Sequence, residues 1–188
     1  MSFLDNIDTN KLEELSKQTK ENSEYFWSLV NSISSEYTQD LDCIMRDLYK
    51  DVTGSDAIST DDAERYYAEL TNLLYFKTTD LEKLNVYSDM AAAAAKEVYS
   101  KAYLSSASEK DEKGKSLRTV SENQSLADIS AQYETVSSSV YQHVYKCVKA
   151  KYDSALEAVT MLKNIIKRRM NEEYLSGIAG TNKSSEFE

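Results

Sequence analysis

The sequence predicts an all-α protein in which three long amphipathic helices, the last of them very long, assemble as a helical bundle. Proline is absent, and only four glycines occur among the 188 residues. Folds built from strands and tight turns depend on both residue types, so their scarcity favours a few long helices. Apolar residues also recur every three or four positions over long stretches, which gives each predicted helix one apolar stripe.

The first predicted helix begins near Asn10, which can cap it, with Glu13 three residues further on. Its apolar stripe runs from Leu12 to Leu48, and Gly54 ends it. A break, if this helix has one, is expected near Ser34–Ser35. The acidic segment 1–58 is therefore predicted to be a separate N-terminal helical element.

The second predicted helix begins after Ser59 or Thr60, where acids in the first turn suit the helix dipole. Its stripe extends to Ala102, and an interruption with a fresh cap at Thr78–Asp80 stays open. Residues 105–125 are rich in serine, lysine and other polar residues and are predicted to be a loop.

The last predicted helix runs from about Leu126 to Ser176 and ends at Gly177. Together with the second helix it forms a predicted helical-hairpin core over 59–180, and residues 181–188 are expected to be a disordered tail. If unbroken, the last helix is roughly 75 Å long at 1.5 Å per residue.

Such a length exceeds what one compact domain of this size buries, so helices from other copies are the expected partners. We therefore predict a homo-oligomer built around the last helix. Its predicted oligomerisation contacts are Leu156, Val159, Leu162 and Ile166.

Positive charge is concentrated in one part of this acidic chain. The net charge is −10, yet residues 142–170 hold seven Lys and Arg against two acids, and residues 1–60 hold twelve acids against five bases. A chain polarised in this way is expected to present one face to anions and another to water or a basic partner. Complementing the helix dipole is an alternative role for Lys163–Arg169. For Lys146, Lys149 and Lys151 the alternative to binding an anion is pairing with acidic residues of the first helix.

No pattern typical of an enzyme occurs in the sequence. The single histidine, His143, lies beside a Tyr/Val stripe, and Cys147 shares its helical face, but two ligands fall short of the usual four of a zinc site. The glycines form neither a P-loop nor a dinucleotide-binding fingerprint. The acids between Asp56 and Glu64 lack the spacing of a calcium loop. We therefore predict a protein that is not an enzyme, with no catalytic residue, cofactor or metal site.

The sequence also carries no sign of a membrane or secretory protein. No run of about 18 apolar residues is present, and the acidic N-terminus lacks the pattern of a signal peptide. Cys43 and Cys147 have no spacing signature of a disulfide, so reduced thiols are favoured while a disulfide stays open. We expect a cytoplasmic protein without a membrane partner.

The 14 tyrosines are the most informative aromatic residues. Tyr99 and Tyr103 flank Lys101 at the end of the second predicted helix, a pattern that suits base stacking with lysine at the phosphates of single-stranded nucleic acid. The alternative for each ring is packing on a neighbouring helix. Three other tyrosines lie on the apolar stripes and are expected in a core or an interface: Tyr66, Tyr87 and Tyr133.

One helix ends in KEVYSKAYLSS (Lys96–Ser106), a variable charged loop follows, and a long helix ends in YDSALEAVTMLKNIIKRRMNEEYLSG (Tyr152–Gly177). Over about residues 80–180 this arrangement resembles the UvsY-type recombination mediator proteins of tailed phages. The resemblance implies a ring-like homo-oligomer that binds single-stranded DNA. It also implies a role in loading a RecA-like recombinase onto DNA coated by single-strand-binding protein.

The predicted function is therefore a non-enzymatic recombination mediator in which a ring sums weak phosphate contacts from each subunit. If the protein is phage-encoded, the host cytoplasm is its expected location. The candidate DNA contacts are Lys96, Lys101, Lys115 and Arg118, with Tyr99 and Tyr103 stacking on bases. The alternative is a helical phage structural or interaction protein without DNA contact, such as a virion component or a host-defence inhibitor. The acidic N-terminal segment favours that alternative, because negative charge repels nucleic acid.

Overall fold

The structure is a computed structural model that describes the backbone of residues 9–54 and 58–184 and the side chains of residues 13–54 and 58–175. It contains four α-helices: α1 (Thr9–Thr53), α2 (Thr60–Ser108), α3 (Val120–Ser130) and α4 (Gln132–Ser184). Among the described residues the only β-type pairing is one isolated bridge between Lys110 and Ser116. The all-α prediction is confirmed, with α1, α2 and α4 as the three long helices.

At the two places where the sequence left a break open the helices are continuous: α1 runs through Ser34–Ser35 and α2 runs through Thr78–Asp80. Hydroxyl side chains inside a helix can bond to a carbonyl oxygen one turn back. Ser35 Oγ donates to the Ser32 carbonyl at 2.7 Å, and Thr78 Oγ1 donates to the Leu74 carbonyl at 2.9 Å. Each of these two hydroxyl groups is thus satisfied by the backbone of its own helix, which continues past it.

The C-terminal part differs more from the prediction, because the expected helix over 126–176 is two helices that meet at Ala131. Thr119 caps α3, so the polar loop covers residues 109–119 and is shorter than the predicted 105–125. Gly177 does not end α4, which continues to Ser184. Of the predicted tail, residues 181–184 are helical, and residues 185–188 lie outside the described part of the chain.

The chain divides into two compact units, and each of them takes segments from both sides of residue 58, the boundary predicted from the sequence. Unit 1 comprises the described residues up to Glu36 together with Lys83–Lys146. Its core contains apolar side chains from all four helices: Val30, Leu84, Ala127, Ala131, Val140 and Val144.

Unit 2 comprises Tyr37–Glu82, apart from residues 55–57, and the described residues from Cys147 onward. Its buried core comes from the three long helices: Leu41, Leu48, Tyr66, Leu70, Val148, Ala155 and Leu162. Lys151 Nζ binds Asp42 Oδ2 at 2.6 Å and donates to Thr38 Oγ1 at 3.0 Å, which joins α4 to α1. The second half of the N-terminal helix therefore packs on the other helices of this unit.

Candidate nucleic-acid interface

The predicted DNA contacts lie at the C-terminal end of α2 and in the loop over residues 109–119, all within unit 1. From Lys96 to Arg118 the chain holds six basic and four acidic residues, in a protein whose net charge is −10. This segment is therefore a locally basic part of an acidic chain. We call it the basic segment.

Tyr99 and Tyr103 form a stacked pair on α2. Their ring centroids lie 6.4 Å apart and their planes differ by 10°. Positions i and i+4 share one helical face, which brings the two rings together. Both side chains are half-buried, so part of each ring remains accessible to a base.

The cations of the basic segment differ in how they are paired. Lys101 Nζ lies 2.5 Å from Glu97 Oε1, and Arg118 Nη1 lies 2.6 Å from Glu109 Oε2. The hydrogen bond and charge of Lys101 lower the pKa of Glu97. Lys96 is exposed and has no ion-pair partner among the residues that the structure describes. Ion pairs at an exposed surface contribute little stability, so Lys101 can exchange its carboxylate for a phosphate at low cost.

The loop has a defined backbone that holds Lys115 at its surface. Asp111 Oδ1 accepts hydrogen bonds from the backbone N–H groups of Lys113 and Lys115, both at 2.9 Å. Gly114 has φ of +76°, a conformation that residues with a Cβ rarely adopt. Lys110 and Lys113 are exposed on the same loop, and the sequence analysis did not include them among the candidate contacts.

The N-terminus of α3 follows the loop and is closed by its own side chains. Glu122 N–H donates to Thr119 Oγ1 at 3.3 Å, and Thr119 N–H donates to Glu122 Oε2 at 2.7 Å. These bonds to Thr119 lower the pKa of Glu122. This carboxylate therefore already occupies the positive end of the helix dipole at the start of α3.

The four predicted oligomerisation residues do not share one environment. Leu162 is completely buried among the residues of unit 2, so it packs on this chain's own helices. Val159 and Ile166 are half-buried, whereas Leu156 is 53% exposed. Of the four, Leu156 has the most surface to offer another copy.

The surroundings of His143, Cys43 and Cys147 bear on catalysis and metal binding. His143 Nδ1 lies 2.8 Å from the Ser139 carbonyl oxygen, and the rings of Phe26 and Trp27 meet the imidazole edge to face. Cys43 and Cys147 are free thiols. In the described ranges no group of three His, Cys, Asp or Glu residues is arranged to hold a metal ion. None of the described helices combines the length and apolar content that crossing a bilayer requires.

Comparison of the chain with family models, with curated proteins and with solved structures finds no match. The resemblance to recombination mediators thus rests on the residues of the sequence. Single-stranded DNA binding stays a prediction, to which the structure adds the positions of the residues that would carry it.

Proposed function

We propose that this protein is a non-enzymatic, single-stranded-DNA-binding recombination mediator that helps to load a RecA-like recombinase onto DNA covered by single-strand-binding protein. The observation that supports this most is the stacked Tyr99–Tyr103 pair beside a lysine-bearing loop in the same compact unit. Aromatic rings and nearby cations are the combination with which proteins bind single strands without sequence preference.

In the proposed mechanism the two kinds of side chain have separate tasks. A base stacks on the accessible part of the tyrosine pair, while Lys96 and the loop cations bind the phosphates on either side. Lys101 and Arg118 leave Glu97 and Glu109 to join them. Each subunit binds weakly, and a homo-oligomer sums the contacts into a stable complex.

A salt series on the full chain tests this proposal. Fluorescence anisotropy with a labelled oligo-dT strand measures the dissociation constant from low to physiological salt. Four phosphates neutralised by Lys96, Lys101, Lys115 and Arg118 give a logarithmic salt slope of roughly −3 per subunit, because each contact releases part of a counterion. Absence of binding even at low salt, or binding that does not change with salt, would contradict the proposal.

A second candidate function is that of a helical structural or interaction protein without DNA contact. The net charge of −10 favours it, since negative charge repels nucleic acid at long range. In unit 2, Tyr49 and Val52 are also exposed beside Met161 in an apolar groove of about 390 Å³ between α1 and α4. The same salt series separates the candidates, because this one predicts no retention of DNA at any salt concentration.

A further inference from the structure

The loop between α2 and α3 folds back on itself as a small antiparallel hairpin. Leu117 N–H donates to the Glu109 carbonyl oxygen at 3.0 Å, and Asp111 N–H donates to the Lys115 carbonyl oxygen at 2.8 Å. These two hydrogen bonds flank the isolated bridge of this loop. We call residues 109–118 the hairpin. A segment of polar and charged residues thus has a defined backbone shape at the surface of unit 1.

One aspartate and one glycine hold the tip of the hairpin. Asp111 Oδ1 accepts hydrogen bonds from the N–H groups of Lys113 and Lys115, both at 2.9 Å. The Asp111 carbonyl oxygen accepts a third, from Gly114 N–H, also at 2.9 Å. An aspartate that begins a turn favours this arrangement, because its carboxylate reaches backbone N–H groups further along the turn. The left-handed φ of Gly114, +76°, is typical of the residue that closes a three-residue hairpin loop.

The hairpin carries four basic and three acidic residues, and they differ in how they are engaged. Glu109 binds Arg118, and Asp111 serves the backbone N–H groups of the tip. Among the described residues Glu112 is the one acid of the hairpin without such a bond. Three lysines are exposed and have no ion-pair partner in the part of the chain that the structure describes: Lys110, Lys113 and Lys115. The cations that are free to bind an anion therefore outnumber the free acid.

We infer that the hairpin is a preorganised phosphate-binding element in which Lys110 and Lys113 are further contacts to the single strand and Asp111 is the residue that positions them. The inference rests on the proposed function, since it assigns the hairpin to the same strand. A tip whose shape is already fixed loses less conformational freedom on binding, so the same lysines bind more tightly than they would on a flexible loop.

The hairpin lies close enough to the stacked tyrosines for one strand to contact both. Tyr103 lies five residues before Ser108, the last residue of α2, which is about 8 Å along the helix axis at 1.5 Å per residue. The hairpin begins at the next residue. A strand with a base stacked on Tyr103 therefore has its neighbouring phosphates within reach of the hairpin lysines.

The salt dependence of oligo-dT binding by the full chain measures the number of phosphate contacts. Two contacts beyond the four already proposed change the expected logarithmic salt slope from roughly −3 to roughly −4 per subunit. Lys110→Ala with Lys113→Ala is expected to bind more weakly and to return the slope to roughly −3. The matched control, Lys17→Ala with Lys20→Ala, removes two exposed lysines of α1 in the same unit and is expected to keep the parental slope.

Three substitutions that each remove one negative charge test the positioning role. Asp111→Asn keeps an oxygen that can accept the two backbone N–H bonds, Asp111→Ala does not, and Glu112→Gln is the control for charge alone. We expect Asp111→Asn and Glu112→Gln to bind at least as tightly as the parent, and Asp111→Ala to bind about fivefold more weakly than Asp111→Asn. Gly114→Ala changes no charge, and its Cβ meets no atom within 4 Å. It is expected to weaken binding through strain of the left-handed backbone alone.

Limited digestion with trypsin, which cleaves after lysine and arginine, reports on the hairpin without DNA. Cleavage within residues 109–118 is expected to be faster in Asp111→Ala than in Asp111→Asn, and circular dichroism checks that every variant keeps its helix content. If the parent binds DNA with a slope of roughly −3, or if Asp111→Ala and Asp111→Asn are equal in affinity or in cleavage, the inference is overturned and the proposed function stands. Absence of DNA binding by the parent would overturn both.

Discussion

Tyr66 joins the end of α1 to the start of α2 within unit 2. Its hydroxyl donates to Asp51 Oδ2 at 2.6 Å, and its side chain is almost fully buried. Burial and the adjacent Asp51 carboxylate raise the pKa of Tyr66 to about 12, because both disfavour the phenolate. Burial, with the charge of Asp80, likewise raises the pKa of Tyr152 to about 12.

These two tyrosines predict a loss of stability in alkali. The unfolded chain releases the phenol protons near pH 10, whereas the folded chain holds them to about pH 12. Their contribution to stability is therefore complete below pH 10 and is lost as the pH rises towards 12. Urea unfolding followed by circular dichroism at pH 8, 10 and 11 measures this slope.

The variants Tyr66→Phe and Tyr152→Phe, which carry no phenol proton, are expected to show a smaller fall in unfolding free energy between pH 10 and 11. Tyr66→Phe also loses about 1 kcal/mol at pH 8, because its hydrogen bond to Asp51 is removed. A parental pH slope in both variants would contradict the assignment.

Individual tyrosines show what sequence periodicity can and cannot predict. Tyr66 was expected on an apolar stripe and is buried, but Tyr87 is 44% exposed and Tyr133 is 85% exposed. Tyr133 lies two turns before the buried Val140 on the same face of α4, so spacing alone does not distinguish a buried position from an exposed one. The partner of Tyr66 depends on how α1 and α2 dock, which local spacing does not encode.

At the scale of whole elements, the start of α3 was missed although the sequence contains its signal. Thr119 and Glu122 have the spacing of a capping box, which starts a helix inside a segment that composition alone marks as a loop. The ends of α1 and the start of α2 were predicted correctly, because Gly54 and the acids after Thr60 are strong local signals.

The contact between Arg169 of α4 and the start of α2 is expected to stabilise the folded chain. Arg169 on α4 donates to the Ile58 carbonyl oxygen and, at 3.3 Å, to Thr60 Oγ1, and so holds the start of α2. We expect Arg169→Ala to lower the unfolding free energy by about 1–2 kcal/mol, because a part-buried carbonyl loses its charged donor. Thermal unfolding measures the change.

Its neighbour Arg168 provides a matched control. Arg168 is 81% exposed and pairs only with Glu172, one turn further along the same helix. Pairs of this kind contribute roughly 0.3–0.5 kcal/mol, so Arg168→Ala is expected to change stability little. Equal effects of the two substitutions would show that Arg169 does not hold the start of α2.

At the scale of the whole molecule, the basic helix of this acidic chain has a structural use. Lys151 binds Asp42 of α1, and Arg169 binds the start of α2. These contacts take up part of the positive charge of residues 142–170, which in the sequence was the clearest sign of an anion-binding face. The sparser cations around the stacked tyrosines of α2 are therefore the better candidates for DNA.

The measurement that tests this account most directly is single-strand binding by two double variants at low salt. Tyr99→Ala with Tyr103→Ala removes the stacked pair, and Tyr75→Ala with Phe76→Ala removes an exposed aromatic pair of unit 2, whose rings lie 5.3 Å apart. Base stacking contributes about 1–3 kcal/mol per base. We expect the first variant to bind labelled oligo-dT about tenfold or more weakly while the second binds like the parent. Equal affinity of both variants would contradict the assignment of the DNA-binding surface.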